Sequence, residues 1–195
     1  MIILVRHATP LIDYGRCPYR IAKERLIDYN RTTNIQQNEI DLLLKSPLSK
    51  EIIANKEKYI GLVSSLPRAR KTAQIIFGFY ALSYQESDLF REFELSIVNI
   101  PLIKLKTKNW FVISRILWFL GFNKGVELFK TSKLRVNKII TLLNNHHKKE
   151  QSTILVAHGL LNKFLEKQLV KDNWVMIDKQ KKGCFEYVVY DKYKG

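Results

Sequence analysis

Three short apolar runs, each ending on residues able to carry chemistry, constrain this chain more than any other feature. They are Ile2-Ile3-Leu4-Val5-Arg6-His7, Tyr59-Ile60-Gly61-Leu62-Val63-Ser64-Ser65 and Ser152-Thr153-Ile154-Leu155-Val156-Ala157-His158-Gly159. A short aliphatic run without polar alternation, followed by turn residues, reads as a strand buried on both faces. A fourth strand candidate covers residues 184–190, and helical patterns occupy 19–29, 36–45, 48–57, 68–82, 125–147 and 159–170. This alternation predicts βαβ units and an α/β fold of three layers, α/β/α, around a mostly parallel central sheet. In such open sheets ligands bind beyond the carboxyl ends of the strands, so residues far apart in sequence converge there.

The residues at those ends are Arg6, His7, Arg68 and His158. Two arginines and two histidines in one pocket point to a phosphoryl group. The planar guanidinium fork matches phosphoryl oxygens, and an imidazole is a nucleophile able to hold a phosphoryl group covalently. The helix opening near Arg68 has Ser65 as N-cap candidate and Pro67 near its first turn, which directs its positive dipole end at the same place. No Cys/His/Asp/Glu cluster has metal-ligand spacing, and the vicinal pair His146-His147 points its rings apart on a helix. No metal or cofactor is expected.

Arg6-His7-Ala8, Ser64-Ser65-Leu66-Pro67-Arg68-Ala69-Arg70-Lys71-Thr72-Ala73 and Val156-Ala157-His158-Gly159, in this order and spacing, resemble the histidine phosphatase superfamily, also called phosphoglycerate mutase-like. Further positions are similar to a small bacterial branch 1-type phosphatase: Leu26 to Asn30, Arg91-Glu92, Trp110, Arg115, Trp118 and Gly121. The resemblance implies that His7 is the phosphorylated nucleophile and that Arg6, Arg68 and His158 bind the phosphoryl oxygens. It also implies a glutamate acid, for which Phe90-Arg91-Glu92 fits best, with Glu94 as the alternative and Asp88 as a turn or cap residue. A carboxyl group in a partly desolvated, phosphate-rich pocket is a suitable proton donor to a leaving alkoxide.

Departures from the family narrow the activity. Ala8-Thr9-Pro10-Leu11-Ile12-Asp13 stands where mutases carry a glycine, a Glu-Ser or Glu-Thr pair and an Asn, and the usual Gly shortly after the glutamate is absent. Ala8 is small enough to replace the glycine where the backbone angles allow. The chain is also shorter than mutases of this class. These features favour a metal-independent phosphomonoester hydrolase over a mutase-type phosphotransferase or a catalytically weak phospho-ligand-binding protein. The substrate is then a small phosphorylated metabolite or a phosphoprotein.

At 195 residues and 46% hydrophobic content, residues 1–195 fit one domain, with a lid-like irregular excursion at about 83–122. Trp110 to Leu120 is apolar apart from Arg115 and too short for a membrane span of about 20 residues. It is expected to cover the core or the pocket mouth, with contact to a membrane surface as the less favoured alternative. The N-terminus shows no secretory signal pattern, and two cysteines, Cys17 and Cys184, make no disulfide framework, so a cytoplasmic location is expected. The net charge of +15 attracts anions at long range. Lysines are spread over the chain, with dense clusters at 104–108 and 179–182 that lack interleaved aromatics, so no specific nucleic-acid partner is expected. Arg135 is expected to form a structural ion pair. Nothing in the sequence specifies an oligomeric state.

Overall fold

The computed structural model describes residues 1–122 and 125–192. In chain order the elements are β1 (Ile2–Arg6), β2 (Arg16–Cys17), α1 (Tyr19–Arg31), α2 (Asp41–Leu44), α3 (Pro47–Ala54), β3 (Tyr59–Ser64), α4 (Pro67–Tyr80) and β4 (Tyr84–Ser87). Then follow β5 (Leu105–Lys106), α5 (Thr107–Phe119), α6 (Phe129–Lys148), β6 (Ser152–Ala157), α7 (Gly159–Lys171), β7 (Trp174–Lys182) and β8 (Phe185–Lys192). The main sheet runs β4-β3-β6-β1-β8-β7, and β2 pairs with β5 in a separate two-stranded ribbon. Neighbours from β4 through β1 are parallel, whereas β8 lies antiparallel to β1 and β7 antiparallel to β8. The sheet is therefore mixed but mostly parallel, with helices on both faces, as the sequence predicts.

Alternation along each strand divides the core in two. Ile2, Leu4, Leu62, Leu155 and Ala157 face the layer containing α6 and α7, whereas Ile3, Val5, Val63, Ile154 and Val156 face the layer containing α3 and α4. Both sets are almost fully buried, which is why these strands show continuous apolar runs. Register then places the chemistry. Arg6 lies opposite Ala157 and Val63 opposite Val156, so His7, His158 and Ser64 emerge side by side at the carboxyl edge of three adjacent strands.

Several boundaries differ from expectation. Residues 36–45 are a 3-10 turn at Gln37–Glu39 followed by the short α2, and the helix expected over 125–147 begins at Phe129. Two sheet strands are absent from the strand candidates because they are edges: β4 reads Tyr-Gln-Glu-Ser, and β7 opens on Trp174-Val175-Met176-Ile177 but buries only Trp174. The dense lysine cluster at 179–182 lies on that edge strand, where charge also discourages pairing with another chain. The excursion from 83 to 122 is thus not irregular throughout. Its first residues join the sheet as β4, residues 91–104 have no regular secondary structure, and its end is the ordered helix α5.

Trp110 and Trp118 explain why α5 holds its place. Both are buried, with Trp110 Nε1 donating to Cys17 O at 2.8 Å and Trp118 Nε1 to Glu127 O at 2.7 Å. At the other edge, Gly61 in β3 faces a crowded seam. A Cβ there would lie 2.7 Å from Tyr84 Cβ and 2.8 Å from Ser83 O. Gly61→Ala is therefore expected to lower stability by about 1–3 kcal/mol through overpacking, read by chemical denaturation; an unchanged midpoint would contradict the tight β3–β4 seam.

Candidate active site

Arg68 occupies the second position of α4 and is 1% exposed. Pro67 sets the first helical residue, which makes Leu66 the N-cap, without a side-chain cap bond. Ser65 therefore does not cap the helix as expected; it lies one residue too early, and its Oγ pairs with Asp88. Arg68 Nε donates to His7 Nε2 at 3.1 Å, Nη2 to His158 Nδ1 at 3.3 Å, and Nη1 to Tyr29 O at 3.0 Å and Asn30 Oδ1 at 3.2 Å. Its guanidinium carbon lies 4.2 Å from the centre of the Tyr29 ring. Thr72, one turn further along α4, donates to Arg68 O at 2.8 Å and accepts from Ala8 N at 3.1 Å, tying this helix to the turn after β1. Ala8 is fully buried and has no positive φ, so it substitutes for glycine without strain.

The hydrogen bonds define the imidazole tautomers. His7 Nδ1 lies 2.8 Å from Ala8 O, a carbonyl that only accepts, so the ring proton is on Nδ1 and Nε2 is the unprotonated acceptor of the Arg68 Nε bond. His158 is the reverse: Nδ1 accepts from Arg68, and Nε2 donates to Ser64 Oγ at 2.7 Å. The two ring centres are 5.1 Å apart and tilted by 59°. Burial pushes both imidazoles well below the usual histidine range, and the Arg68 and Arg6 charges push in the same direction. Both rings are neutral at pH 7.

Arg6 approaches from β1. Its Nε is buried without a hydrogen-bond partner, and a Cβ at Gly159 would come within 2.8 Å of that atom. Gly159 thus allows the Arg6 side chain to lie flat against the start of α7. Glu92 is anchored at the same helix end, where its carboxylate accepts from Leu160 N and Leu161 N, each at 3.1 Å. Its charge reaches both Arg6 and Arg68. Glu94 also borders the cavity, but its Oε2 accepts from Glu127 N at 2.9 Å. Asp88 opens a 3-10 turn away from the cavity, consistent with a local turn role.

Arg6, Tyr29, Asn30, Arg68, Glu92 and Glu94 border a cavity of about 480 Å³, whereas His7 and His158 are buried behind Arg68 and do not line it. Arg6, Arg68 and Glu92 line it from below, and Phe111, Val112 and Arg115 of α5 form one wall. Lys163 and Lys181 border its mouth. Two contributors carried no assigned role in the sequence. Tyr29 stacks edge-on against His7 with its hydroxyl 3.5 Å from Nε2, and Ser64 fixes the His158 ring. Ser64 had a signal, being a small polar residue at the end of a buried strand; Tyr29 had none beyond its place in the Leu26–Asn30 run.

The remaining candidates fall elsewhere. Among the described residues no group of three His, Cys, Asp or Glu could hold a metal ion. His146 Nδ1 is 3.1 Å from Thr153 Oγ1, and His147 packs against Trp174. Arg135 pairs with Glu127 and donates to Leu89 O and Arg91 O, bracing the segment that carries Glu92. Cys17 and Cys184 are free thiols. No described helix is long and apolar enough to cross a membrane.

A strand-end pocket holding a buried arginine between two neutral histidines, over a phosphoglycerate mutase-like sheet, defines a class of phosphoryl-handling protein. The chain belongs to branch 1 of the histidine phosphatase superfamily, whose family model matches residues 44–186. That stretch contains Arg68, Glu92 and His158 but begins after β1, so the position of His7 beside them rests on the geometry above. No protein of curated function matches the sequence. Solved structures with the same fold include a mycobacterial glucosyl-3-phosphoglycerate phosphatase, at 17% identity, TM-score 0.53, covering 87% of this chain and 79% of that one. A phosphoglycerate mutase from Bacillus anthracis is similar at 15% identity, TM-score 0.54, covering 88% and 80%.

The buried neutral histidines also give stability a pH dependence. In the unfolded chain each titrates near its ordinary value of 6.5, whereas folding lowers it. Below about pH 6.5 the unfolded chain binds protons that the folded one refuses, so their contribution is complete above that pH and declines as pH falls, by up to about 1.4 kcal/mol per pH unit per group. Unfolding free energy measured from about pH 7.5 to about pH 5 should fall more steeply for the native chain than for His158→Gln. Equal slopes would contradict a neutral, buried His158.

Proposed function

We propose that this protein is a metal-independent phosphomonoesterase working through a phosphohistidine at His7. The observation that carries the reading is the unprotonated Nε2 of His7, fixed by the Nδ1 hydrogen bond to Ala8 O and accepting from Arg68 Nε at 3.1 Å, a contact an entering anion would take over. An entering phosphate would replace the imidazole acceptors on Arg68 with oxyanions and satisfy the orphaned Arg6 Nε. Nε2 then attacks phosphorus in line while the ester P–O bond breaks. Arg6 and Arg68 stabilise charge on the equatorial oxygens, and His158, whose proton points to Ser64, serves as an acceptor that orients Arg68.

Glu92 donates a proton to the departing alkoxide and, as carboxylate, takes one from the water that next attacks phosphorus, which frees inorganic phosphate and restores His7. Its place at the start of α7, within electrostatic reach of both arginines, supports it over Glu94. The cavity volume of about 480 Å³ falls within the range of small-molecule sites, about 300–1,000 Å³, which supports a small phosphorylated metabolite over a phosphoprotein. Lys163 and Lys181 at the mouth would also suit the second phosphate of a mutase-type bisphosphate. Release of one inorganic phosphate per substrate consumed favours hydrolysis; isomerised substrate without release favours transfer.

Brief exposure to a radiolabelled phosphomonoester should leave acid-labile, base-stable label on the native protein, and His7→Ala should lose both label and turnover. Rapid turnover by His7→Ala would overturn the mechanism. Glu92→Gln should slow alkyl phosphates by on the order of 10²-fold or more while sparing activated aryl phosphates, whose leaving groups need no proton. Arg68→Ala should injure both alike. If Glu94→Gln shows the leaving-group dependence instead, the acid is Glu94.

A further inference from the structure

We propose that the face formed by α5 and α7 is a docking surface for an anionic lipid leaflet, bringing the pocket mouth to the lipid–water boundary. One flank of α5 is apolar and unpartnered: Val112, Ile116 and Phe119, with the capping Leu120 four residues after Ile116, are 57%, 53%, 44% and 68% exposed, and Phe122 beyond the helix is 70% exposed. Isolated exposed apolar residues are ordinary; a contiguous row is not.

The second observation is the charge beside that row. Phe119 continues into a groove of about 560 Å³ floored by Phe129 and Phe164, whose rings pack on it and on one another. The rim of the groove is Lys133, Lys163, Lys167 and Lys171. None of these lysines forms an ion pair with a described residue. Lys163, Lys167 and Lys171 recur every fourth residue on α7, a row of about 12 Å. An apolar stripe flanked by such a row is the pattern of helices that lie in the interface of anionic membranes. At thirteen residues, α5 is about 20 Å long and suits lying in the interface, not crossing it.

The same face does not suit the other occupants. In a two-fold dimer the lysine rows of two copies would meet. Fixed carboxylates on a protein partner are best matched by arginine forks, whereas lysines on flexible stems suit fluid headgroups at any register. The one arginine of α5, Arg115, is already engaged by Phe93 O and Glu94 O. Trp110 and Trp118 are buried and take no part in this surface. Continuity with the catalytic cavity gives the surface its use: Leu160 and Lys163 line both hollows, and Val112 of the apolar row also borders the cavity. Docking is independent of the phosphatase reading.

The test is cosedimentation of the full chain with vesicles of phosphatidylcholine alone and with about one-third phosphatidylglycerol, at physiological salt, alongside turnover of a soluble aryl phosphate. Binding is expected to the anionic vesicles only. Ile116→Glu with Leu120→Glu, and separately Lys167→Glu with Lys171→Glu, should each weaken binding at least tenfold and leave soluble turnover unchanged. Lys50→Glu with Lys56→Glu, on α3 and the turn preceding β3, should bind like the native chain. Absence of binding would overturn the proposal outright, and binding weakened equally by the control pair would overturn it in favour of unspecific charge. A native chain that is dimeric by light scattering and becomes monomeric in Ile116→Glu with Leu120→Glu would overturn it in favour of a second copy. Vesicle-indifferent chain that captures a polyglutamate peptide through the α7 lysines would overturn it in favour of an acidic partner.

Discussion

A buried guanidinium that no carboxylate neutralises organises this molecule. Arg68 is closed off from solvent at the positive end of α4, where a cation is doubly unfavourable: water is gone and the helix dipole repels it. Its hydrogen-bond acceptors are all neutral, namely two imidazole nitrogens, the Tyr29 carbonyl and the Asn30 amide oxygen, with the face of Tyr29 alongside. Acceptors come from the ends of β1 and β6 and from the last turn of α1, so satisfying one charged group requires three separate chain segments to meet. Such a site holds unspent positive potential. The unpartnered Arg6 Nε beside it adds to that potential, and an anion with several oxygens is what relieves both.

The same charge sets the chemistry of the histidines. Proximity of Arg68 and Arg6 adds to burial in keeping His7 and His158 neutral, and the directional bonds to Ala8 O and Ser64 Oγ decide which nitrogen of each ring is unprotonated. An unprotonated Nε2 thus arises from the fold without a neighbouring base: the Ala8 carbonyl holds the His7 proton on the far nitrogen, which suits the proposed nucleophilic role. Glu92 is positioned by a different device, the open amides at the start of α7, which also fixes its distance from the strand ends.

Much of this was legible in the sequence because burial writes a clear pattern. Strands β1, β3 and β6 are covered on both faces and read as unbroken apolar runs, and the residues just past them are the ones the register brings together. Edge strands leave no such trace. Tyr84–Ser87 and the lysine-bearing half of β7 face solvent, so only pairing with an already formed neighbour defines them. Ser65 failed as a cap because Pro67 shifts the helix start by one residue, a detail of backbone geometry that residue type does not reveal. Tyr29 was invisible as a site residue because its role depends on where α1 docks. The lysines looked scattered along the chain, and only the folding of α6 against α7 collects four of them around one aromatic groove.

The central claim, that the fold holds His7 neutral with its proton on Nδ1 and Nε2 unprotonated, can be read directly from isotope-edited NMR of the imidazole nitrogens at neutral pH. The account predicts a His7 ring with a protonated Nδ1 and an unprotonated Nε2, and a His158 ring of the opposite tautomer. An imidazolium at His7, or a proton on its Nε2, would contradict it.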